Sequence, residues 1–504
     1  MKPDFRKTMI WLHTYSGLII GWLIFVIWVT GTLSYYNDEL TQWMKPELGT
    51  HEPRHQLINH SLSKLKERAP HAKQWNISLP SDRDNTLRIS WSDSLERRAK
   101  HHSITLDSKT LTTIEPRETQ GGNFFRVFHY TLNLRQFGGR YIAGVVAMMM
   151  LVAVFTGIFT HRRFFRDFFT LRFKSKLKAL TDLHAIAGVI TIPFCFVLSF
   201  SALAIYISMY SPWSMNHHFD KGLRTIDRQI STRLSSISPI NESVSPIENF
   251  DHIAQKLINR WPEAQAISRI SYQYPSDANG RIVVTRRHSQ SLSNKSESIA
   301  FSPHSGEIIE QQAPEQFARM FRRVFYGLHE ARFASPPLRA LLFFMGVASS
   351  FLIASGLIMW LNKRLEKVKK RHFGHTLVER LNVSTIMGLT IAIAGYFYAN
   401  RLIPIEMIER SNVEINVFFA TWLAAICYSL TRPISNAWSE LLLIAAAGYS
   451  LLPVLDIFIN KDWIINALRH QNLIYISVEI AFVITGIICW LFYKSIARSN
   501  THDQ

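Results

Sequence analysis

Five histidines stand at the ends of long apolar runs: His13, His129, His161, His184 and His329. A neutral imidazole can relay a proton or ligate a metal through one ring nitrogen. At the edge of a membrane helix it is costly unless it has a partner or a ligand. Two of the five share a repeated pattern. Leu12-His13-Thr14-Tyr15-Ser16-Gly17 returns as Leu183-His184-Ala185-Ile186-Ala187-Gly188, and each copy opens a long apolar stretch just after a basic segment. A single histidine at a helix end is usually a snorkelling ring or a cation near the last carbonyls. Five in one set, two of them inside a duplicated motif, point instead to ligation. His161 directly precedes Arg162-Arg163. It is an interfacial ring, a partner for a ligand's carboxylate, or a ligand in place of His13 or His184.

The elements that must position these rings follow from hydropathy. Apolar residues gather in runs long enough to cross roughly 30 Å of hydrocarbon. The formal charge of +19 would suit nucleic acid, but Lys and Arg cluster beside the apolar runs, as membrane topology requires. A lipid bilayer is therefore the expected partner, and nucleic acid is not. Cys195, Cys427 and Cys489 all lie inside apolar runs, with no Cys-x-x-Cys-His for covalent haem and no thiolate set for an iron–sulfur cluster. Zinc needs four close ligands, generally including Cys or carboxylate, and the histidines here fall into two groups at opposite faces. Nothing matches a Walker loop, a dinucleotide turn or a nucleophile elbow. Most other histidines, among them His51, His55, His60, His71, His101, His102, His217 and His218, fall outside the runs, where solvated surface is the expected role.

Taken in order, residues 1–36 form the first span, an anchor rather than a removed signal because no small-residue cleavage site follows it. Residues 37–123 should be a small α+β module, with a helix near 54–68 and strands at 75–79, 86–91 and 102–106. An amphipathic segment and the second span occupy 124–161. The loop 162–181 is basic, with seven Lys or Arg against one acid in 162–178, which makes it cytoplasmic. The third span is 182–210, and 211–315 is a second α+β module with a helix near 247–260 and strands at 267–274, 281–287 and 298–301. A second amphipathic segment and the fourth span fill 316–362, followed by the basic loop 363–382. Residues 383–504 add four more spans. The fold class is thus a polytopic α-helical membrane protein of about eight spans, with two α+β modules in a tandem repeat and both termini cytoplasmic.

The repeated unit is span, α+β module, amphipathic segment, span. His13 aligns with His184, Gly17 with Gly188, Thr30-Gly31 with Ser201-Ala202, and Gly157 with Gly356; Trp360 stands where the first copy has His161. Arg126-Val127-Phe128-His129 aligns with Arg323-Val324-Phe325-Tyr326, and His329 lies one helical turn further on nearly the same face. Both copies have the same orientation, so a pseudo-twofold axis along the membrane normal relates them. That symmetry suits bis-histidine ligation of a planar cofactor between helices. His13 and His184 would meet near the cytoplasmic face, His129 and His329 near the outer face. Gly17 and Gly188 either leave room for a porphyrin edge or let helices pack closely. Arg126, Arg140, Arg323, Arg332 and Arg339 flank the outer pair and either bind haem propionates or reach outer headgroups.

The motifs Leu12-His13-x3-Gly17, Phe128-His129-Tyr130-x-Leu132, Gly157-x3-His161-Arg162-Arg163-Phe164-Phe165, Asp182-Leu183-His184 and Leu328-His329 resemble those of the PepSY-associated transmembrane family, over about residues 8–365. The resemblance implies PepSY-like periplasmic modules, two haem b groups and an inner-membrane reductase of ferric siderophores. Its axial ligands would come from His13, His184, His129, His329 and His161, with Arg126 and Arg323 at the propionates. The electron donor would be a quinol or a cytoplasmic reductase. Two other functions compete: a non-redox permease or accessory protein of siderophore uptake, and a regulatory protein whose modules bind a periplasmic peptide.

Overall fold

The computed structural model describes residues 3–48, 55–81, 83–96, 100–160, 176–211, 234–247, 249–261, 267–287, 292–293, 296–313, 317–368, 370–460, 465 and 473–502. The first copy of the repeat runs α1 (Pro3–Ser34), α2 (Asn37–Met44), α3 (His55–Arg68), β1 (Gln74–Ser78), β2 (Leu87–Ser92), β3 (His102–Leu106), β4 (Thr113–Ile114), α4 (Asn123–Thr131) and α5 (Gly139–Thr160). The second runs α6 (Lys176–Tyr210), α7 (Asp251–Arg260), β5 (Ile267–Gln273), β6 (Arg281–Arg286), β7 (Ser298–Phe301), β8 (Ile308–Gln311), α8 (Phe317–Glu330) and α9 (Pro336–Leu365). The extension is α10 (Phe373–Leu402), α11 (Arg410–Thr431), α12 (Ile434–Ile459) and α13 (Leu473–His502). Among the described residues, eight of these helices are long and apolar enough to cross a membrane: α1, α5, α6 and α9 to α13.

The repeat's four spanning helices form a ring. Helix α1 packs on α5 and α9, and α6 packs on the same two, so α1 and α6 stand diagonally. Entry to α9 is set by Ser335 ahead of Pro336, because a proline at the first helical position loses no hydrogen bond. The two short helices α4 and α8 precede α5 and α9, with α4 packed on α1 and α8 on α6.

The two α+β modules share one sheet. Its eight strands run β4-β3-β2-β1-β5-β6-β7-β8, with β1 antiparallel to β5 and Asn76 opposite Ser271. Residues alternate across it: Leu87 and Ile89 are buried while Arg88 points to solvent. Helices α3 and α7 cover one face, and a single core joins Leu62 and Leu65 to Trp75, Ile77, Ile270, Tyr272, Ile253 and Leu257. The strands β4 and β8, which sequence reading did not foresee, are the two edges. The join at β1–β5 was not foreseen either, because backbone pairing between strands far apart in sequence leaves no local signature.

The extension packs on α1 and α2 of the first copy and on α9 of the second. Helix α10 contacts α1, α2 and α9, and α13 contacts α2. Buried ion pairs fix it there. Arg401 donates Nε–H to Asp456 at 2.5 Å, with both side chains fully buried, and its guanidinium lies 3.6 Å over the Trp43 ring of α2. Tyr475 and Asn460 also donate to Asp456, and Trp43 donates to Glu479 at 2.7 Å. A second buried pair, Arg410–Glu414, takes a hydrogen bond from Thr119 and holds the strand of chain that leads into α4.

Candidate functional site

Four of the five candidate histidines are held at Nδ1 by an oxygen of a neighbouring helix. His129 on α4 lies 2.7 Å from the Ile27 carbonyl of α1, and His13 lies 3.0 Å from the Ala153 carbonyl of α5. A carbonyl only accepts, so each of these Nδ1 atoms carries the proton. His329 on α8 bonds Ser201 Oγ at 3.0 Å, and His184 on α6 bonds Ser355 Oγ at 3.0 Å. Both serines spend their own proton on helix carbonyls, Ser201 on Leu198 and Ser355 on Leu352, so they accept from the rings. In the neutral form of each ring, the tautomer assigned from these partners leaves Nε2 unprotonated. A ring held by its Nδ1–H with Nε2 presented is the arrangement of a metal-ligating histidine and its supporting shell.

Small residues make the seats. A Cβ at Gly31 would stand 2.6 Å from His129 Nδ1, one at Gly157 would stand 3.2 Å from His13 Cε1, and one at Gly356 would stand 3.0 Å from His184 Cε1. The seats obey the repeat: Ile27 and Gly31 on α1 correspond to Leu198 and Ala202 on α6, and Thr156-Gly157 corresponds to Ser355-Gly356. By contrast, among the described residues nothing lies within 4 Å of a Cβ at Gly17, and only Leu352 Cδ1, at 3.6 Å, approaches Gly188. Among those residues the two glycines leave open space beside His13 and His184.

The outer pair comes together. The ring centres of His129 and His329 are 6.0 Å apart with their planes 37° from parallel. A ring nitrogen ligates a transition metal at about 2 Å, which puts two imidazoles on opposite sides of one ion with centres roughly 6 Å apart. The residues therefore fit axial ligation of one planar complex. His329, and not its sequence-aligned counterpart Tyr326, occupies the position equivalent to His129, so α8 sits one turn out of register with α4. Burial, and then the neighbouring His129 ring, push the His329 pKa down to about 3; burial also lowers that of His129. The lowered values favour the neutral ring that metal ligation needs. For His13 and His184, the described residues show matching seats on diagonal helices rather than contact between the two rings. His161 lies outside the described residues.

The outer pair borders a cavity of about 1690 Å³ that reaches from the middle of the bundle to the underside of the sheet at Ser81, Arg83, Ser268 and Arg287. Arg126 lines it and donates to Asn123 Oδ1 at 2.7 and 3.0 Å. On the second copy Arg322 lines it, with its guanidinium 5.8 Å from the Tyr326 ring centre. Arg323 is half-buried on the same helix but is not among the lining residues. Arg339 is committed to Glu39 at 2.9 Å, and Arg83 grips the same carboxylate with two bonds of 2.8 Å, tying the sheet to the bundle. Sequence reading missed the hydroxyl seats at Thr156, Ser201 and Ser355, although the alignment of small residues held the signal. It also missed the Arg83–Glu39–Arg339 bridge, for which the sequence held none.

Comparison with known proteins gives two results. An uncharacterized protein of Pseudomonas aeruginosa is 23% identical over 316 residues, which cover 59% of this chain and 77% of that protein. The family described as the PepSY-associated TM region matches residues 10–363, which is the whole tandem repeat without the last four helices. This chain is a multi-pass helical membrane protein that belongs to the PepSY-associated TM family.

Proposed function

We propose that the chain is an inner-membrane b-type haem protein that relays electrons across the bilayer to ferric siderophore in the periplasm, releasing the iron. The observation that carries this reading is the matched set of Nδ1-tethered histidines, above all the His129–His329 pair at 6.0 Å. Both termini and the basic segments 162–178 and 363–380 then lie in the cytoplasm, and the joined sheet, built from two PepSY-like modules, stands in the periplasm. Haem, when bound, supplies a one-electron carrier near each face.

The chain's own residues do the rest. His13 and His184 present Nε2 from diagonal helices at the inner end, with His161 as a further candidate there. His129 and His329 do so at the outer end, and the Ile27 carbonyl and Ser201 hydroxyl hold their tautomers and ring angles. Arg126 at the cavity wall and Arg323, half-buried on α8, are the candidates to hold the cofactor's carboxylates. The apolar wall of Trp28, Met150 and Phe194 keeps water from the inner part of the cavity. One electron, drawn from a quinol or a cytoplasmic reductase, converts each Fe(III) to Fe(II), which hard oxygen ligands hold far less tightly.

An absorption spectrum of the full-length protein in detergent tests the reading. A Soret band that shifts on dithionite, with resolved α and β bands, is the expected result, and a colourless protein overturns it. His129→Ala or His329→Ala should remove half the haem and leave the remaining spectrum intact. Loss of all haem from either folded variant would refute the assignment of two separate sites.

A further inference from the structure

The cavity over the outer histidines holds more than a planar cofactor needs. At about 1690 Å³ it exceeds the ~300–1,000 Å³ usual for a small-molecule site. Among the described residues its wall is also unbalanced in charge: seven arginines line it against three carboxylates, Asp38, Glu39 and Glu330. Those acids are already engaged. Glu39 is shared by Arg83 and Arg339, Asp38 is 3.3 Å from Arg83, and Glu330 is 2.8 Å from Arg332. Three of the arginines have no carboxylate partner among the described residues. Arg126 bonds the neutral Asn123, Arg140 lies 5.3 Å from the Tyr130 ring centre, and Arg322 lies 5.8 Å from that of Tyr326. The Nε–H of Arg322 is buried with no hydrogen-bond partner among the described residues. Two haem propionates would still leave the surplus positive.

We infer that this outer chamber is a site for anionic ferric chelates, and that Arg140 and Arg322 set its preference for negative charge over neutral chelates of the same size. The inference rests on the function proposed above and adds to it a substrate class. Physically, a cleft lined by one sign of charge between apolar walls focuses its field and concentrates the opposite sign. The low-dielectric bundle on one side strengthens the effect relative to an open surface. The three uncompensated arginines come from α4, α5 and α8, so both copies of the repeat contribute.

Gallium complexes provide the test, because Ga(III) copies the size and charge of Fe(III) but is not reduced, so binding is read without turnover. Full-length haem-loaded protein would be titrated calorimetrically with a trianionic gallium tris-catecholate and with a neutral gallium tris-hydroxamate of similar size. The expected result is at least about tenfold tighter binding of the anion at low salt, with most of that advantage lost near 0.5 M salt, where screening acts within a few ångströms. Arg140→Gln with Arg322→Gln should cost the anion about tenfold and leave the neutral complex within about twofold. Equal binding of the two complexes, or an anion preference that salt does not weaken, overturns the inference while the Soret band stays in place. A missing Soret band would instead refute the haem reading. The wild-type comparison needs no variant, so a double mutant that fails to fold leaves the inference testable.

Discussion

Helix α4, which carries His129, is walled in by the C-terminal bundle, whereas α8, which carries His329, turns its apolar face outward. On α4, Phe124, Phe125 and Phe128 are buried against Tyr396, Phe397 and Phe418. On α8, Phe317 and Phe321 are 76% and 53% exposed. The rings themselves are seated alike, on positions of α1 and α6 that correspond in the repeat. Duplication therefore supplies the seats, and the extension beyond the family match adds rigidity to one of them. Local stability should differ accordingly, since it follows the density of buried contacts around each element.

The largest test of that asymmetry is Asp456→Asn. It leaves the fully buried Arg401 without its counter-charge, at an expected cost of about 3–5 kcal/mol in thermal or denaturant unfolding in detergent. Hydrogen exchange should show α4 amides better protected than α8 amides in the wild type, and level with them in the variant. Equal protection in the wild type would remove the basis of the comparison.

Gly31→Ala probes the seat on the supported side. Its Cβ would overlap His129 Nδ1 at 2.6 Å, so the ring must move, at about 1–3 kcal/mol. The second copy already has Ala202 at this place, and its ring rests on Ser201. A silent Gly31→Ala would show the two seats to be interchangeable. Ser201→Ala strips the hydroxyl from His329 Nδ1 but leaves the Leu198 carbonyl, the counterpart of Ile27 on the first copy. A loss of about 1 kcal/mol is expected, equalled by Ser355→Ala at the inner end. A difference between the two serines would show that the inner and outer seats are not equivalent.

The smallest effect concerns the second module alone. Burial pushes the Glu310 pKa upward, but hydrogen bonds from Ser235 and the Arg281 charge outweigh it and hold the carboxyl below its ordinary 4.5. The stabilisation is complete above pH 4.5 and is lost as pH falls through the lowered value. Glu310→Gln should flatten the melting-temperature profile in that acid window. The first module's edge strand, Thr113–Ile114, has no carboxylate to lose.

The sequence by itself determined the spans and the tandem repeat, and it singled out the histidines. Long apolar runs need a bilayer, and a costly imidazole repeated at one register marks a shared role. It determined the inner register too, since His13 and His184 fall on the equivalent seats that their alignment implies. Tertiary structure decided the rest. The alignment set Tyr326 against His129 while the shared helical face pointed to His329, and the packing of α8 on α6 brings His329 to that place, because a helix can slide one turn without changing its apolar pattern. The joined sheet, the Arg83–Glu39–Arg339 bridge and the wall around α4 were equally illegible. Each unites residues tens to hundreds of positions apart, and such contacts are selected by shape and charge across the fold rather than by any spacing along the chain.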